Sequence, residues 1–382
     1  MYAGYYDTYK GENVMLKRFE VENFKGFDER LVFDLTACNY EFTSQIVKDG
    51  IVNKAIIYGK NGIGKSSLGI AIFDIISHLT DKNKVPSVYL RNYRNLNSSG
   101  KFVSFKYYFQ FDSDEVIYEY AKTDQDNLVF EKLTINTVTM IDYNYFEKEN
   151  NYIHDSLPDL SERLTDNKLS IVKYIHRSIP TNQNVPLTKM ISFCENMLWY
   201  RSLSDGKAYA GFTNGGADYS NVIYSYGKLK EFQDFLKSND LLYDLGFEDE
   251  NGTPVLYAYF NNRKNKTSFF TLASTGTLAL SLFFVWKVLA FDEASLVFID
   301  EFDAFLHYES AETIVRLLNN STNFQTMLTT HNTYLMQNQL TRPDCCYIMT
   351  KNKITSLQKS TQKEIREAHN LEKMYVNGAF AE

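Results

Sequence analysis

The sequence predicts an α/β fold built on a mixed sheet, with an antiparallel β meander and a helical insert. Three observations carry that prediction. Residues 54–58 (KAIIY) form a short apolar run that leads through a glycine-rich loop into a helical pattern. Residues 296–299 (LVFI) form a continuous apolar run ending in Asp300 and Glu301, as expected of a parallel strand buried on both faces. Between 102 and 145, apolar and polar residues alternate in three stretches parted by Asp, Ser and Asn, the period of half-buried antiparallel strands.

In chain order, residues 15–35 read as one or two strands, and 51–79 as a strand, a loop and a helix. Leu68, Ala71, Ile72, Ile75, Ile76 and Leu79 recur at helical spacing after the loop. The loop, GKNGIGKS, satisfies G-x-x-x-x-G-K-[ST] in full. Gly59, Gly62 and Gly64 permit close backbone approach. The amides of the whole segment, through Lys60, Asn61, Ile63, Ser66 and Ser67, are then free to point at phosphates. Lys65 adds a point charge for the β- and γ-oxygens, and the Ser66 hydroxyl suits Mg²⁺. ATP with Mg²⁺ is the ligand this chemistry implies.

The meander at 102–145 completes a first lobe, residues 1–150. Residues 151–262 change character. Segments 168–177, 187–203 and 228–245 read as helices, with a Gly- and Asn-rich loop at 206–219. This insert holds ten Lys/Arg and fourteen Asp/Glu and lacks heptads, so it reads neither as a nucleic-acid arm nor as a long coiled coil. A partner-binding subdomain and plain core filler are both open readings of it.

The second lobe, 263–382, opens with strands at 255–260 and 268–272. A segment at 273–277 (ASTGT) then leads into a helix over 278–290. Ser274, Gly276 and Thr277 place a small hydroxyl-and-glycine segment at a helix start, which is either an ordinary cap or a second anion site. Ser274 lies 26 residues before Asp300, room for one helix returning to the acidic strand. Because the first loop already serves phosphates in cis, the second site suits a γ-phosphate bound by another subunit. At the end of the acidic strand, Asp300 suits Mg²⁺ through water, and Glu301 suits a general base acting on water. A helix at 308–319 and a strand at 326–329 lead to His331, either a surface turn histidine or a γ-phosphate contact. A hairpin at 345–357 and a helix at 364–377 close the chain.

These segments, in this order, resemble the ABC-type ATPases of the SMC/RecF/OLD group. The likeness is closest to the small AAA-labelled RloA-like and OLD-like ATPases of bacterial anti-phage defence. It covers about 15–120 and 263–382, and includes the opening MLKRFEVENFKGF at 15–27. The resemblance implies an ABC-ATPase head with ATP clamped in a homodimer or higher homo-oligomer. Catalytic roles fall to Lys65, Glu301 and His331, metal roles to Ser66 and Asp300, and nucleotide contacts to the loop, Ser274, Gly276, Thr277 and Asp303. Asp303 belongs to a D-x-x-L-H stretch resembling the group's dimer-contact loop. Gln110 and the loop at 92–97 are two options for the group's glutamine lever. The signature reads STGT, which argues against a transporter subunit. No carboxylate cluster suited to a two-metal nuclease follows His331, so the resemblance implies a switch that holds or releases a separately encoded toxic effector such as a nuclease. The alternative is a RecF-like DNA-repair ATPase.

Composition bounds these readings. The 382 residues are 44% hydrophobic, ample for a large core. The net charge of −7 argues against a protein whose main task is gripping nucleic acid. Four cysteines, Cys38, Cys194, Cys345 and Cys346, form no C-x-x-C pair, which fits a reducing cytoplasm. The start, MYAGYYDTYKGEN, lacks a leader pattern, and the longest apolar helix, near 278–291, is too short to span a bilayer.

Overall fold

The computed structural model describes residues 14–147, 151–158, 166–180, 182–202, 208–212, 218–321 and 323–380. The opening 1–13 and much of the loop expected at 206–219 lie outside the described residues. The chain begins with β1 (Val14–Glu22) and β2 (Leu31–Asp34), a ribbon of β3 (Val47–Lys48) and β4 (Ile51–Val52), then β5 (Lys54–Tyr58), α1 (Lys65–Ile72) and α2 (Ile76–Leu79). The meander is β6 (Val103–Phe111), β7 (Asp114–Lys122), β8 (Leu128–Ile135) and β9 (Val138–Asn144), extended by β10 (Tyr152–Ile153). Next come α3 (Ile171–Ser178), α4 (Val185–Glu195), β11 (Met197–Arg201), β12 (Tyr209–Ala210), α5 (Tyr219–Ser225) and α6 (Leu229–Lys237). A three-stranded sheet of β13 (Asp244–Glu250), β14 (Thr253–Phe260) and β15 (Asn265–Ser268) leads to α7 (Phe269–Leu272) and α8 (Thr275–Ala290). The last elements are β16 (Leu296–Asp300), α9 (Tyr308–Asn319), β17 (Gln325–Thr330), β18 (Cys346–Thr350), β19 (Lys353–Ser356) and α10 (Leu371–Val376).

Two seven-stranded sheets organise these pieces. One is antiparallel, in the order β10-β9-β8-β7-β6-β1-β2. The other runs β12-β11-β16-β17-β5-β18-β19, with the five inner strands parallel and antiparallel edges. The parallel strands are buried on both faces, and alternate residues feed two cores. Ala55, Ile57, Met197, Trp199, Leu296 and Phe298 face the core shared with the antiparallel sheet and α1 to α4. Their neighbours Ile56, Tyr58, Leu198, Tyr200, Val297 and Ile299 face the core built on α5, α6, α8 and α9. Helix α1 lies between the sheets. A Cβ on its Gly69 would stand 2.6 Å from the Phe298 ring, so only glycine lets α1 approach β16 this closely.

Mixed sheet and meander stand as expected, but several elements differ. The helix expected over 187–203 stops at Glu195, and Met197–Arg201 joins the central sheet beside β16. Its run MLWYR is short, apolar and buried on both faces, a pattern that periodicity cannot separate from a buried helix. The region 151–262 therefore holds strands as well as helices. The helix expected over 228–245 ends at Lys237, and β13 begins at Asp244. Residues 269–272 form a helical turn rather than a strand. The final helix begins at Leu371 rather than near 364, with Asn370 as its cap accepting from the Lys373 amide. The helix after the glycine loop breaks at 73–75 into α1 and α2.

Two buried polar side chains pin the starts of β17 and β5: Gln325 ties β17 to β1 of the other sheet, and Lys54 ties β5 to the start of its neighbour β17. Gln325 accepts from the Leu16 amide at 3.0 Å and donates to the carbonyls of Leu16 and Val52, each at 2.9 Å. Lys54 donates to the Phe324 carbonyl at 2.5 Å and the Thr326 hydroxyl at 3.1 Å. Burial brings its pKa down to about 7.

Replacing Gln325 by Met keeps the volume and strands three backbone groups. Each buried unsatisfied group costs about 1–3 kcal/mol, so urea denaturation should show a loss of about 3 kcal/mol or more. Lys54 gives a pH test. Its folded pKa lies below the unfolded value, so between pH 7 and 10.5 the unfolded chain holds the extra proton. Its contribution therefore improves as pH rises through that window. The stability of wild type relative to Lys54→Met should climb by roughly 1 kcal/mol per pH unit between pH 7.5 and 9.5. Parallel curves for the two proteins would remove the assignment.

Candidate functional site

The carboxyl ends of β5, β11, β16 and β17 meet at one edge of the parallel sheet. Register sets Arg201 opposite Asp300, and Thr330 opposite Tyr58. Such an edge is where open α/β sheets hold ligands. It forms the wall of a cleft of about 890 Å³, lined by Asn61, Gly62, Arg201, Glu301, Asp303 and His331 among others.

The glycine loop forms one side. Gly62 and Gly64 have φ of 75° and 112°, and Gly64 sits at the start of α1. A Cβ on Gly64 would meet the Phe27 ring at 2.9 Å, and one on Gly59 the Met349 carbonyl at the same distance. At Gly59 and Gly64 the loop thus offers bare amides with no room for a side chain. Lys65 is buried and donates to the carbonyls of Gly59 at 2.8 Å and Lys60 at 3.2 Å. Its Nζ also lies 2.8 Å from His331 Nε2. Desolvation lowers the Lys65 pKa, while Glu301 and Asp300 oppose the fall. His331 is held below its ordinary pKa by desolvation and by the Lys65 charge, and facing an ammonium that can only donate, its Nε2 serves as the acceptor.

The acidic pair forms the other side. Asp300 is fully buried, and its carboxyl is pushed up by desolvation, with Ser66 and Thr329 opposing. Thr329 Oγ1 donates to Asp300 Oδ1 at 2.8 Å and accepts from the Glu301 amide at 2.7 Å. Glu301 has φ of 50°, which turns its side chain out of the strand into the cleft. Thr330 donates to Asp303 Oδ2 at 2.7 Å, tying the loop after the acids to the His331 turn. Desolvation raises the Asp303 carboxyl.

The structure brings Lys65, Ser66, Asp300, Glu301, Asp303 and His331 together. Ser274, Gly276 and Thr277 do not line the cleft. Ser274 caps α8, accepting from the Thr277 amide at 3.2 Å, and is exposed. Gly276 abuts the loop after the acids, since a Cβ there would stand 2.8 Å from the Phe305 carbonyl. Neither option for the glutamine lever reaches the cleft. Gln110 donates to the carbonyls of Asp112 and Asp114 at the meander turn. In the 92–97 loop, Asn95 bonds the Lys25 carbonyl and the Asn23 backbone.

Sequence reasoning missed Arg201. Its Nη2 lies 3.1 Å from Glu301 Oε2 and its Nε 3.4 Å from Asp300 Oδ2. The available signal was the apolar run MLWY ending in a charge, the same pattern as LVFI ending in Asp300.

The donor set fits Mg²⁺. Asp300 Oδ2 is buried without a hydrogen bond, and the Ser66 hydroxyl faces the same carboxylate. The bare amides of the loop, the Lys65 ammonium and the start of α1 fit a polyphosphate. Among the described residues, no helix is long and apolar enough to cross a membrane.

A family profile described as "AAA domain, putative AbiEii toxin, Type IV TA system" matches residues 54–337. Among solved structures, an SMC head bound to the C-terminal winged-helix domain of ScpA is 16% identical, covering 90% of this chain and 98% of its own, with a TM-score of 0.47. The SMC head domain from Thermotoga maritima is 16% identical, with coverages of 89% and 97% and a TM-score of 0.43. A Pyrococcus furiosus Smc head with an extended coiled coil, bound to the C-terminal domain of ScpA, is 13% identical, with coverages of 91% and 98% and a TM-score of 0.48. No curated protein matches the chain.

Proposed function

The chain belongs to this AAA family, and we propose that it is an ABC-type ATPase switch of bacterial anti-phage defence. In this reading its ATP-bound dimer or larger assembly holds or releases a separately encoded toxic effector. One observation carries the nucleotide part: the Lys65 ammonium, the Asp300 and Glu301 carboxylates and the His331 ring converge on one glycine loop at the sheet edge. The family's description, with its toxin and toxin–antitoxin system, supports a toxic partner.

The residues divide the work. The loop amides and Lys65 bind the β- and γ-phosphates, and Lys65 gives up His331 to do so. His331, freed and neutral, presents its ring to the γ-phosphate. Glu301, turned into the cleft by its left-handed backbone, accepts a proton from the attacking water. Ser66 and Asp300 would hold Mg²⁺, which would neutralise phosphate charge. Ser274 and the start of α8, exposed and outside the cleft, serve the γ-phosphate of a second subunit.

Subunit mixing tests the shared site. Lys65→Ala and Ser274→Arg should each be inactive alone. Half of the mixed dimers pair one of each, leaving one intact site of two, so a mixture should recover up to about a quarter of wild-type ATPase activity, and less where the two sites are coupled. A mixture no better than the sum of its parts would end the case for sites in trans. Switching has its own test. Glu301→Gln should bind ATP with turnover reduced about 10²–10⁴-fold, while Lys65→Ala stays empty. A product of a neighbouring gene should co-purify with one of these two states and not the other. Equal retention, or none, would remove the effector role.

A further inference from the structure

We propose that Arg201 is a resident counter-ion that occupies the acidic pair until Mg²⁺ and nucleotide take Asp300 from it. The inference rests on the nucleotide reading above and assigns a positioning role to a residue outside the glycine loop, the acidic pair, the 273–277 segment and the His331 turn.

The argument begins with two adjacent carboxylates. Asp300 is wholly inaccessible and Glu301 is one-fifth exposed at its side chain. Two such charges repel: burial is the main force raising the Asp300 carboxyl, and the Glu301 charge adds to it. A cation is needed wherever the metal is not. The β11–β16 register delivers one, because Arg201 is the residue paired with Asp300. Its guanidinium straddles both acids, at 3.1 Å from Glu301 and 3.4 Å from Asp300. Arginine keeps its charge at every physiological pH, so the arrangement never depends on a proton.

The two contacts are unequal. Arg201 Nη2 makes a hydrogen bond to Glu301 Oε2. Toward Asp300, both Arg201 Nε and Asp300 Oδ2 are buried, and neither makes a hydrogen bond. The Asp300 contact is therefore the weaker and the first to be surrendered to a small divalent cation. Glu301 stays paired and so stays aimed into the cleft. Arg201 also bonds the Tyr89 side chain, and the Tyr89 ring packs edge-on against Trp199 of β11 at 5.5 Å. Loss of the Asp300 contact is thereby felt by the short helical turn Ser87–Leu90.

The experiment titrates Mg²⁺ against a fixed concentration of a non-hydrolysable ATP analogue and reads equilibrium binding. Arg201→Gln should lower the Mg²⁺ concentration at half-saturation about tenfold, since one of two competing occupants is gone. Arg201→Lys should remain near wild type. Tyr89→Phe, which keeps every charge and loosens only the arginine's anchor, should shift the same way by less. With Mg²⁺ alone as the probe, the melting temperature of Arg201→Gln should rise more than that of wild type. An unchanged or increased Mg²⁺ requirement in Arg201→Gln overturns the inference while leaving the nucleotide reading intact. A wild-type protein that binds no Mg²⁺-nucleotide overturns the reading and the inference together.

Discussion

One amide side chain spans the joint between the two large sheets. Gln325 opens β17 and reaches back to Leu16 and Val52, satisfying three main-chain groups that no ladder could serve. The other end of the same strand carries Thr329 and Thr330, whose hydroxyls fix the acidic pair and Asp303. β17 is thus fastened to the fold at its start and to the chemistry at its finish. A shift of the strand by one residue would exchange its two faces, burying the wrong side chains and moving both threonines out of reach.

The phosphate loop is steadied from behind. Asp74, just past α1, accepts from the hydroxyls of Tyr93 and Tyr120 and from Lys122, all in the buried layer under the meander. Removing Lys122 from this network would leave the buried Asp74 charge without its cation, at about 3–5 kcal/mol. Tyr107 adds bonds to the carbonyls of Ala71 and Ile72, which end the same helix. The aromatic residues that crowd the meander are therefore more than filling. Their hydroxyls hold α1 at one end while its other end faces the cleft.

Much of this was legible in the chain itself. The glycine loop, the acidic strand end and the alternating meander each have a local pattern with one physical meaning. What escaped had a pattern with two. Residues 197–201 are apolar at every position before Arg201, so a buried strand and a buried helix look alike. Read as helix, the segment gives Arg201 no place beside Asp300. Residue type points the lever to Gln110 or to the 92–97 loop, whereas the sheet sets a cation from β11 beside the acids. Near the C-terminus, Glu364, Arg366 and Glu367 carry charges that suit a helix, yet Asn370 caps one only after them.

The narrow contact at Gly276 has a consequence for timing. The α8 start and the Phe305 loop of one chain leave no space between them for a methyl group. In the two-fold sharing of ATP proposed above, those two pieces would attend to different triphosphates, one across the seam and one at home. Movement at either bound molecule would then pass through that contact to the other, so neither site would keep time alone.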